Sequence, residues 1–343
     1  MRDENIILDV NNLKVRFYYS EGIVKAVNGV SYRLKKGSSI GIVGESGCGK
    51  TVSTYAVLNI LSSAGKVVEG EIKYTKSDGT VVNLAELAPE SREMRNIRGK
   101  EISMIFQEPM TAFSPVHTIY NQISEAILLH QDISKQEARE RVIELLGQVG
   151  IPDPARRVDD YPFQFSGGMR QRAMIAMALA SNPRILIADE PTTALDVTIQ
   201  AQVLRLIKKM QKEYDLSLIL ITHDLGVIAH MVEEVYVMYL GRVVESGPVK
   251  VIFNDPRHPY TRDLLKSIPR IRGNKGKIAS IEGSVPDSYH LPPGCAFHPR
   301  CRDYPGDICS RELPERTEIG EGHFVSCFKY QKTGVEMGAC KKG

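Results

Sequence analysis

The sequence predicts an α/β protein: a phosphate-loop core with a mostly parallel sheet, an antiparallel β platform before it, a helical subdomain within it and a small metal-binding extension after it. Three observations predict this. Short apolar runs alternate with stretches of helical periodicity, the pattern of strands laid parallel by helical crossovers. One such run, Ile40–Val43, leads straight into Gly44-Glu45-Ser46-Gly47-Cys48-Gly49-Lys50-Thr51, which fits GxxxxGK(S/T). After about residue 250 prolines become frequent, long apolar runs stop, and five of the six cysteines follow. The expected division is a nucleotide-binding domain over 1–250, with its helical subdomain at about 110–180, and an extension over 251–343.

The chain has 343 residues, 42% hydrophobic and 25% charged, which excludes extended disorder and leaves room for two domains. A net charge of +3 gives no electrostatic footprint for nucleic acid. No run approaches the ~18 apolar residues that cross a bilayer, and Met1-Arg2-Asp3-Glu4-Asn5 does not open a secretory signal. The expected location is the cytoplasm, with any membrane-spanning work left to another chain.

In chain order, Ile6–Val10, Leu13–Phe17 and Ala26–Leu34 read as platform strands, turned at Lys35-Lys36-Gly37. Ile40–Val43 is a buried strand and Val52–Leu61 a helix. Strands around a polar insertion at 75–79 and a short helical stretch at 84–98 precede the strand 102–106. Helical character then dominates to about 180. Ser134 caps a helix with Glu137 three residues on, and Gly150-Ile151-Pro152 ends it. Ser166-Gly167-Gly168 opens an apolar helix over 173–180. Ile185–Ala188 is a strand ending in Asp189-Glu190. A helix over 198–214 leads to the strand 218–221, followed by Thr222-His223-Asp224, and a hairpin at 235–245 turns at Gly241.

Ligands of such sheets bind at the carboxyl ends of the strands, where Gly44, Gln107, Asp189, Glu190 and His223 all fall. The glycine loop presents backbone N–H groups to an anion at a helix N-terminus, so residues Gly44 to Thr51, with Val52 behind them, are candidate nucleotide contacts. Lys50 can reach the β- and γ-phosphates, and the Thr51 hydroxyl can join a magnesium shell. Asp189 is the expected second magnesium ligand and Glu190 the residue that polarises an attacking water. His223 reads as a γ-phosphate sensor. Ser166-Gly167-Gly168, at a helix N-terminus, is a second anion site. The aromatic cluster Phe17-Tyr18-Tyr19 at a strand end could stack on a base, although from local residues alone ordinary edge-strand packing explains it better.

Several motifs in order resemble those of the ATP-binding subunits of ABC transporters. GESGCGKT (44–51) resembles the Walker A motif, FQEP (106–109) the Q-loop, FSGGMRQR (165–172) the family signature, ILIADE (185–190) the Walker B motif, TTALD (192–196) the D-loop and THD (222–224) the H-loop. Phe165 stands where the family more often has leucine. The resemblance implies an ABC ATPase core hydrolysing ATP with Mg2+. Catalysis would fall to Glu190, His223 and Gln107, and magnesium to Thr51, Gln107 and Asp189. Adenine would lie against Phe17, or against Tyr19. Two such subunits, identical or homologous, face each other. Each ATP then lies between one subunit's Walker motifs and the other's Ser166, Gly167, Gly168 and Asp196. The remaining implied partners are two transmembrane permease subunits and an extracytoplasmic binding protein, so the chain would sit on the cytoplasmic face of the membrane.

DVTIQAQVL (196–204), HPYT (258–261) and PPGCAFHPRC (292–301) narrow the resemblance to the dipeptide and oligopeptide importer branch. Nickel importers share the core and are the alternative. ABC ATPases that act on nucleic acid or ribosomes carry fused cassettes or long insertions, which this chain lacks. A binding-only module is disfavoured by the presence of both Glu190 and His223.

The cysteine spacing is Cys295-x5-Cys301-x7-Cys309-x17-Cys327, with Cys340 left over. Clustered thiols in a reducing compartment point to metal rather than disulfides. Four thiolates could hold zinc, with His298 a possible substitute ligand, or a 4Fe–4S cluster. The short Cys-x2–4-Cys pairs usual for zinc are missing. The resemblance to the peptide-importer tail favours the iron–sulfur cluster, with a structural role.

Overall fold

The computed structural model describes residues 5–193, 195–267, 281–304 and 306–331. Cys340 lies outside the described residues, as does Ala194 of the TTALD stretch.

Two sheets organise the chain. β1 (Ile6–Tyr19) and β2 (Gly22–Lys35) form a long antiparallel hairpin. The two runs expected at its start are one strand, interrupted by an irregularity where Asn12 takes φ 48°. After β3 (Ser39–Val43), the strands β4 (Gly65–Thr75) and β5 (Val81–Asn83) complete a platform of order β2-β1-β4-β5.

The second sheet adds β6 (Ile102–Ile105), β7 (Ile185–Asp189), β8 (Ser217–Thr222), β9 (Glu234–Tyr239), β10 (Arg242–Pro248), β11 (Thr317–Gly320) and β12 (His323–Val325). Its order is β11-β12-β10-β9-β3-β8-β7-β6. β3 pairs in parallel with β8 and β9, and β7 with β6 and β8. Every residue of β3, β6, β7 and β8 is buried. Strands covered on both faces have no solvated side, which is why they read as continuous apolar runs rather than alternating ones.

The hairpin β9–β10 turns at Gly241, where φ is +75°. Beyond residue 250 the chain returns to this sheet. β12 pairs with β10 at Glu245↔Val325 and Ser246↔Phe324, and β11 lies outside it. Glu245, buried at this junction, accepts from His323 Nε2 at 2.8 Å and from the backbone N–H groups of Arg257 and His258 at 2.7 and 2.9 Å. A buried carboxylate is tolerable only with such partners.

The helical segment packs Ile119–Leu128, Lys135–Gln148 and Gly167–Leu179 together. Ser134 and Glu137 form the expected capping box. The helix after β3 spans Lys50–Leu58 and stops short of the expected Leu61. Asn59 turns into the left-handed region at φ 52° and sends its side-chain amide to the Leu87 carbonyl at 2.7 Å, a tertiary contact that no local pattern encodes.

Candidate active site

The phosphate loop joins β3 to the helix Lys50–Leu58 at the carboxyl edge of the parallel sheet. Two of its glycines are required by space. A Cβ on Gly44 would lie 2.2 Å from the Met238 carbonyl oxygen, and one on Gly49, where φ is +95°, 2.3 Å from that of Ala26. The backbone is therefore pressed into neighbouring strands, leaving its N–H side for a ligand. Lys50 is buried and lays its ammonium across the loop, donating to the carbonyls of Gly44 at 2.8 Å and Glu45 at 3.1 Å. Burial pushes the Cys48 thiol up, which keeps this loop cysteine a small neutral packing group.

Thr51 and Asp189 meet behind the loop, the hydroxyl donating to Oδ1 at 3.1 Å. The other carboxylate oxygen, Oδ2, is buried without a hydrogen-bond partner. Burial pushes the Asp189 carboxyl up to about 6, with Glu190 adding repulsion and Thr51 and Lys50 opposing both. A carboxylate with an unpartnered buried oxygen beside a hydroxyl suits a hard cation with oxygen ligands such as magnesium.

Glu190 follows at φ 44°, a strained conformation for a residue with a side chain. Its Oε2 accepts from Gln107 Nε2 at 3.2 Å and Thr193 Oγ1 at 3.0 Å, and its Oε1 lies 3.3 Å from His223 Nδ1. The Glu190 side chain is 14% exposed, whereas that of His223 is 65% exposed and open to a ligand. Gln107, Asp189, Glu190 and His223, drawn from the ends of three different strands, thus stand together beside the phosphate loop. Thr193 is the member that the sequence reading missed. Only the turn after β7 places its hydroxyl on Glu190.

Other expected site residues lie elsewhere. Ser166 caps its own helix by accepting from the Met169 N–H at 3.3 Å, and a Cβ on Gly167 would meet nothing within 4 Å. Asp196 is exposed and caps the helix Val197–Glu213 through the Ile199 N–H at 3.0 Å. No hydrogen bond among the described residues ties 166–168 or Asp196 to the phosphate loop. Phe17 and Tyr19 share one face of β1, with ring centroids 6.2 Å apart and planes 6° from parallel. Phe17 packs on Gly65, and Tyr19 is 49% exposed.

Cys295, Cys301, Cys309 and Cys327 line one cavity together with His258, Phe297, His298 and Asp303. Burial raises all four thiols, Cys301 to about 11 and Cys309 to about 12, and neighbouring cysteines add to the rise at Cys295, Cys301 and Cys309. Among the described residues no three His, Cys, Asp or Glu side chains are grouped so as to hold a single metal ion. The metal-binding extension expected from the cysteine spacing therefore has no single-ion ligand group among the described residues to support it. The thiols surround a space instead of converging on an ion-sized point, and His298 turns its Nδ1 to the Cys295 carbonyl at 2.9 Å.

Comparison with known proteins agrees with this geometry. A family model described as ABC transporter matches residues 27–193, and one described as the oligopeptide/dipeptide transporter C-terminal region matches 244–309. The dipeptide transport ATP-binding protein DppD of Bacillus subtilis is 50% identical over 323 residues, 94% of each chain. The Escherichia coli protein of the same name is 46% identical, covering 94% of this chain and 96% of its own. The oligopeptide transport ATP-binding protein AppD of Bacillus subtilis is also 46% identical, over 96% and 99%. Among solved structures, the dimeric bacterial ABC transporter cassette MJ0796 superposes with a TM-score of 0.61 at 28% identity, covering 71% of this chain and 98% of its own.

Proposed function

The chain belongs to the ABC transporter family of ATP-binding proteins, and from that premise we propose that it is the ATP-hydrolysing subunit of an importer of dipeptides or oligopeptides. The observation that carries the reading is the convergence of Lys50, Thr51, Gln107, Asp189, Glu190 and His223 at one sheet edge, in a chain that also carries the 165–172 signature.

The residues divide the work as follows. The loop N–H groups and Lys50 bind the phosphates, and Tyr19, the more exposed ring, takes the adenine with Phe17 behind it. Magnesium entering with the nucleotide would be held by Thr51 and Asp189, with Gln107 at its edge, and would supply charge neutralisation. Glu190, fixed by Gln107, Thr193 and His223, orients water for in-line attack, and the exposed His223 contacts the γ-phosphate. Ser166, Gly167, Gly168 and Asp196 serve a second ATPase subunit. The exposure of Ser166, Gly167 and Asp196 supports that arrangement. The working assembly adds two permeases and an extracytoplasmic peptide-binding protein at the cytoplasmic face of the membrane, with no nucleic acid. No helix among the described residues is long and apolar enough to cross a membrane, so spanning falls to the permeases. The open groove of Tyr55, Phe106, Gln107, Glu108, Thr111 and Ala112 gives a permease segment a seat directly beside Gln107.

Replacing Glu190 by Gln tests the assignment. ATP binding should persist while turnover falls about 10²–10⁴-fold, the usual contribution of a general base. Turnover at the wild-type rate would refute it.

We also propose that Cys295, Cys301, Cys309 and Cys327 hold a 4Fe–4S cluster that cross-links the extension. Four thiols around one cavity support this. Iron and acid-labile sulfide in equal amounts, with broad visible absorbance, are expected in anaerobically prepared protein. Colourless protein with one zinc per chain would overturn it.

A further inference from the structure

Glu45, the first variable residue of the phosphate loop, turns away from the ligand side and into the C-terminal extension. Its carboxylate accepts two hydrogen bonds from the Arg300 guanidinium, from Nη1 at 2.8 Å and Nη2 at 3.1 Å. The Arg300 side chain is only 4% exposed. It is fixed from its far side by the Glu282 carbonyl at 3.0 Å, the Ile281 carbonyl at 3.4 Å and the Tyr239 hydroxyl at 3.3 Å. A bidentate guanidinium held on both sides sets direction as well as charge. The Glu45 backbone N–H donates to the Tyr260 hydroxyl at 2.9 Å. Tyr260 is itself locked between Tyr239 and Phe297, with centroids 4.7 and 5.4 Å away.

The peptide gripped in this way is the one whose carbonyls hold Lys50. Lys50 Nζ donates to Gly44 and Glu45, so a shift of residue 45 moves the lysine that meets the phosphates. Charge acts in the same direction. An acid in a loop built for a polyphosphate repels it unless neutralised, and Arg300 neutralises it at contact distance.

We propose that Arg300, assisted by Tyr260, is a positioning residue for nucleotide binding. Through it the extension sets the affinity of the phosphate loop for ATP, beyond adding stability. The inference deepens the ATP-binding reading and does not rest on any occupant of the cysteine cavity.

The experiment titrates ATP with Mg2+ into the full-length chain and measures hydrolysis at saturating ATP. Arg300→Met should weaken binding about tenfold, within the range of ordinary site-to-site coupling, and leave saturated turnover within about twofold. Arg300→Lys should recover part of the affinity. Glu45→Gln placed in the Arg300→Met background should recover most of it, because it removes the stranded acid. A merely structural arginine would not be rescued by altering the loop. Unchanged affinity in Arg300→Met, or a loss that Glu45→Gln does not reduce, overturns the proposal. If Arg300→Met does not fold, Tyr260→Phe decides. Weaker ATP binding with normal saturated turnover supports the proposal, and wild-type affinity overturns it. ATP binding by the wild-type chain in the same preparation separates failure of this inference from failure of the ATPase reading.

Discussion

Asp189→Asn separates the electrostatic cost of the proposed magnesium site from its use. The carboxyl is held at about 6 rather than its ordinary 3.8, chiefly by burial. That difference corresponds to about 3 kcal/mol, at about 1.36 kcal/mol per pH unit. The sign follows from linkage. A group whose folded pKa is raised contributes its full stability below the unfolded value and loses it as pH rises through the folded one. The wild-type protein should therefore lose about 2.4 kcal/mol from this group between pH 4 and pH 7, and Asp189→Asn should not. The amide can still accept from Thr51, but burying its N–H2 without a partner costs about 1–3 kcal/mol at every pH. The absolute stabilities of the two proteins at pH 7 can thus nearly coincide, and the discriminating quantity is the slope. Urea unfolding of both proteins at intervals from pH 4 to pH 7.5, without nucleotide or magnesium, measures it. Magnesium with ATP should then stabilise the wild type far more than the variant. A difference between the two proteins that is independent of pH would refute the claim that Asp189 stores this cost.

Two further outcomes concern how the extension is joined to the cassette. Phe297 is 1% exposed and sits 5.2 Å from the Tyr239 ring and 5.4 Å from that of Tyr260. Phe297→Ala should cost about 3–5 kcal/mol in urea unfolding, and a loss below about 1 kcal/mol would mean that the extension is loosely attached. His258 is fully buried and neutral, its Nδ1 accepting from the Tyr260 N–H at 3.1 Å. Burial, helped by Arg262, lowers its pKa to about 3. A depressed value means stability is lost as pH falls below about 6.5, at about 1.36 kcal/mol per pH unit. Between pH 7 and pH 5 the wild type should lose about 2 kcal/mol that His258→Asn does not, and parallel unfolding curves would contradict this.

How much was legible in the sequence depends on the range of the interaction that decides each feature. The strands read at 40–43, 102–106, 185–188 and 218–221 announced themselves because burial on both faces requires unbroken apolar runs. Ser134 with Glu137 announced a helix start because the cap is a local exchange of hydrogen bonds. The phosphate loop, Asp189-Glu190 and His223 could be placed on one edge because a parallel sheet puts its strand ends there.

What the sequence by itself determined is the inventory: a parallel phosphate-loop core, the candidate catalytic side chains at its edge, and a cysteine-bearing tail of one transporter branch. Tertiary structure alone decided where that tail goes. HPYT and HPRC marked a family branch, but nothing in them says that Tyr260 and Arg300 close on Glu45 across more than two hundred residues of sequence. The pairing of β12 with β10 was equally hidden, since three residues carry too little pattern to name a partner. The unpartnered Asp189 oxygen and the Thr193 contact with Glu190 also exist only once packing has excluded water. Local features follow from nearest-neighbour sterics and hydrogen bonding, which a linear pattern records. Long-range contacts follow from which surfaces remain uncovered once those local elements have formed.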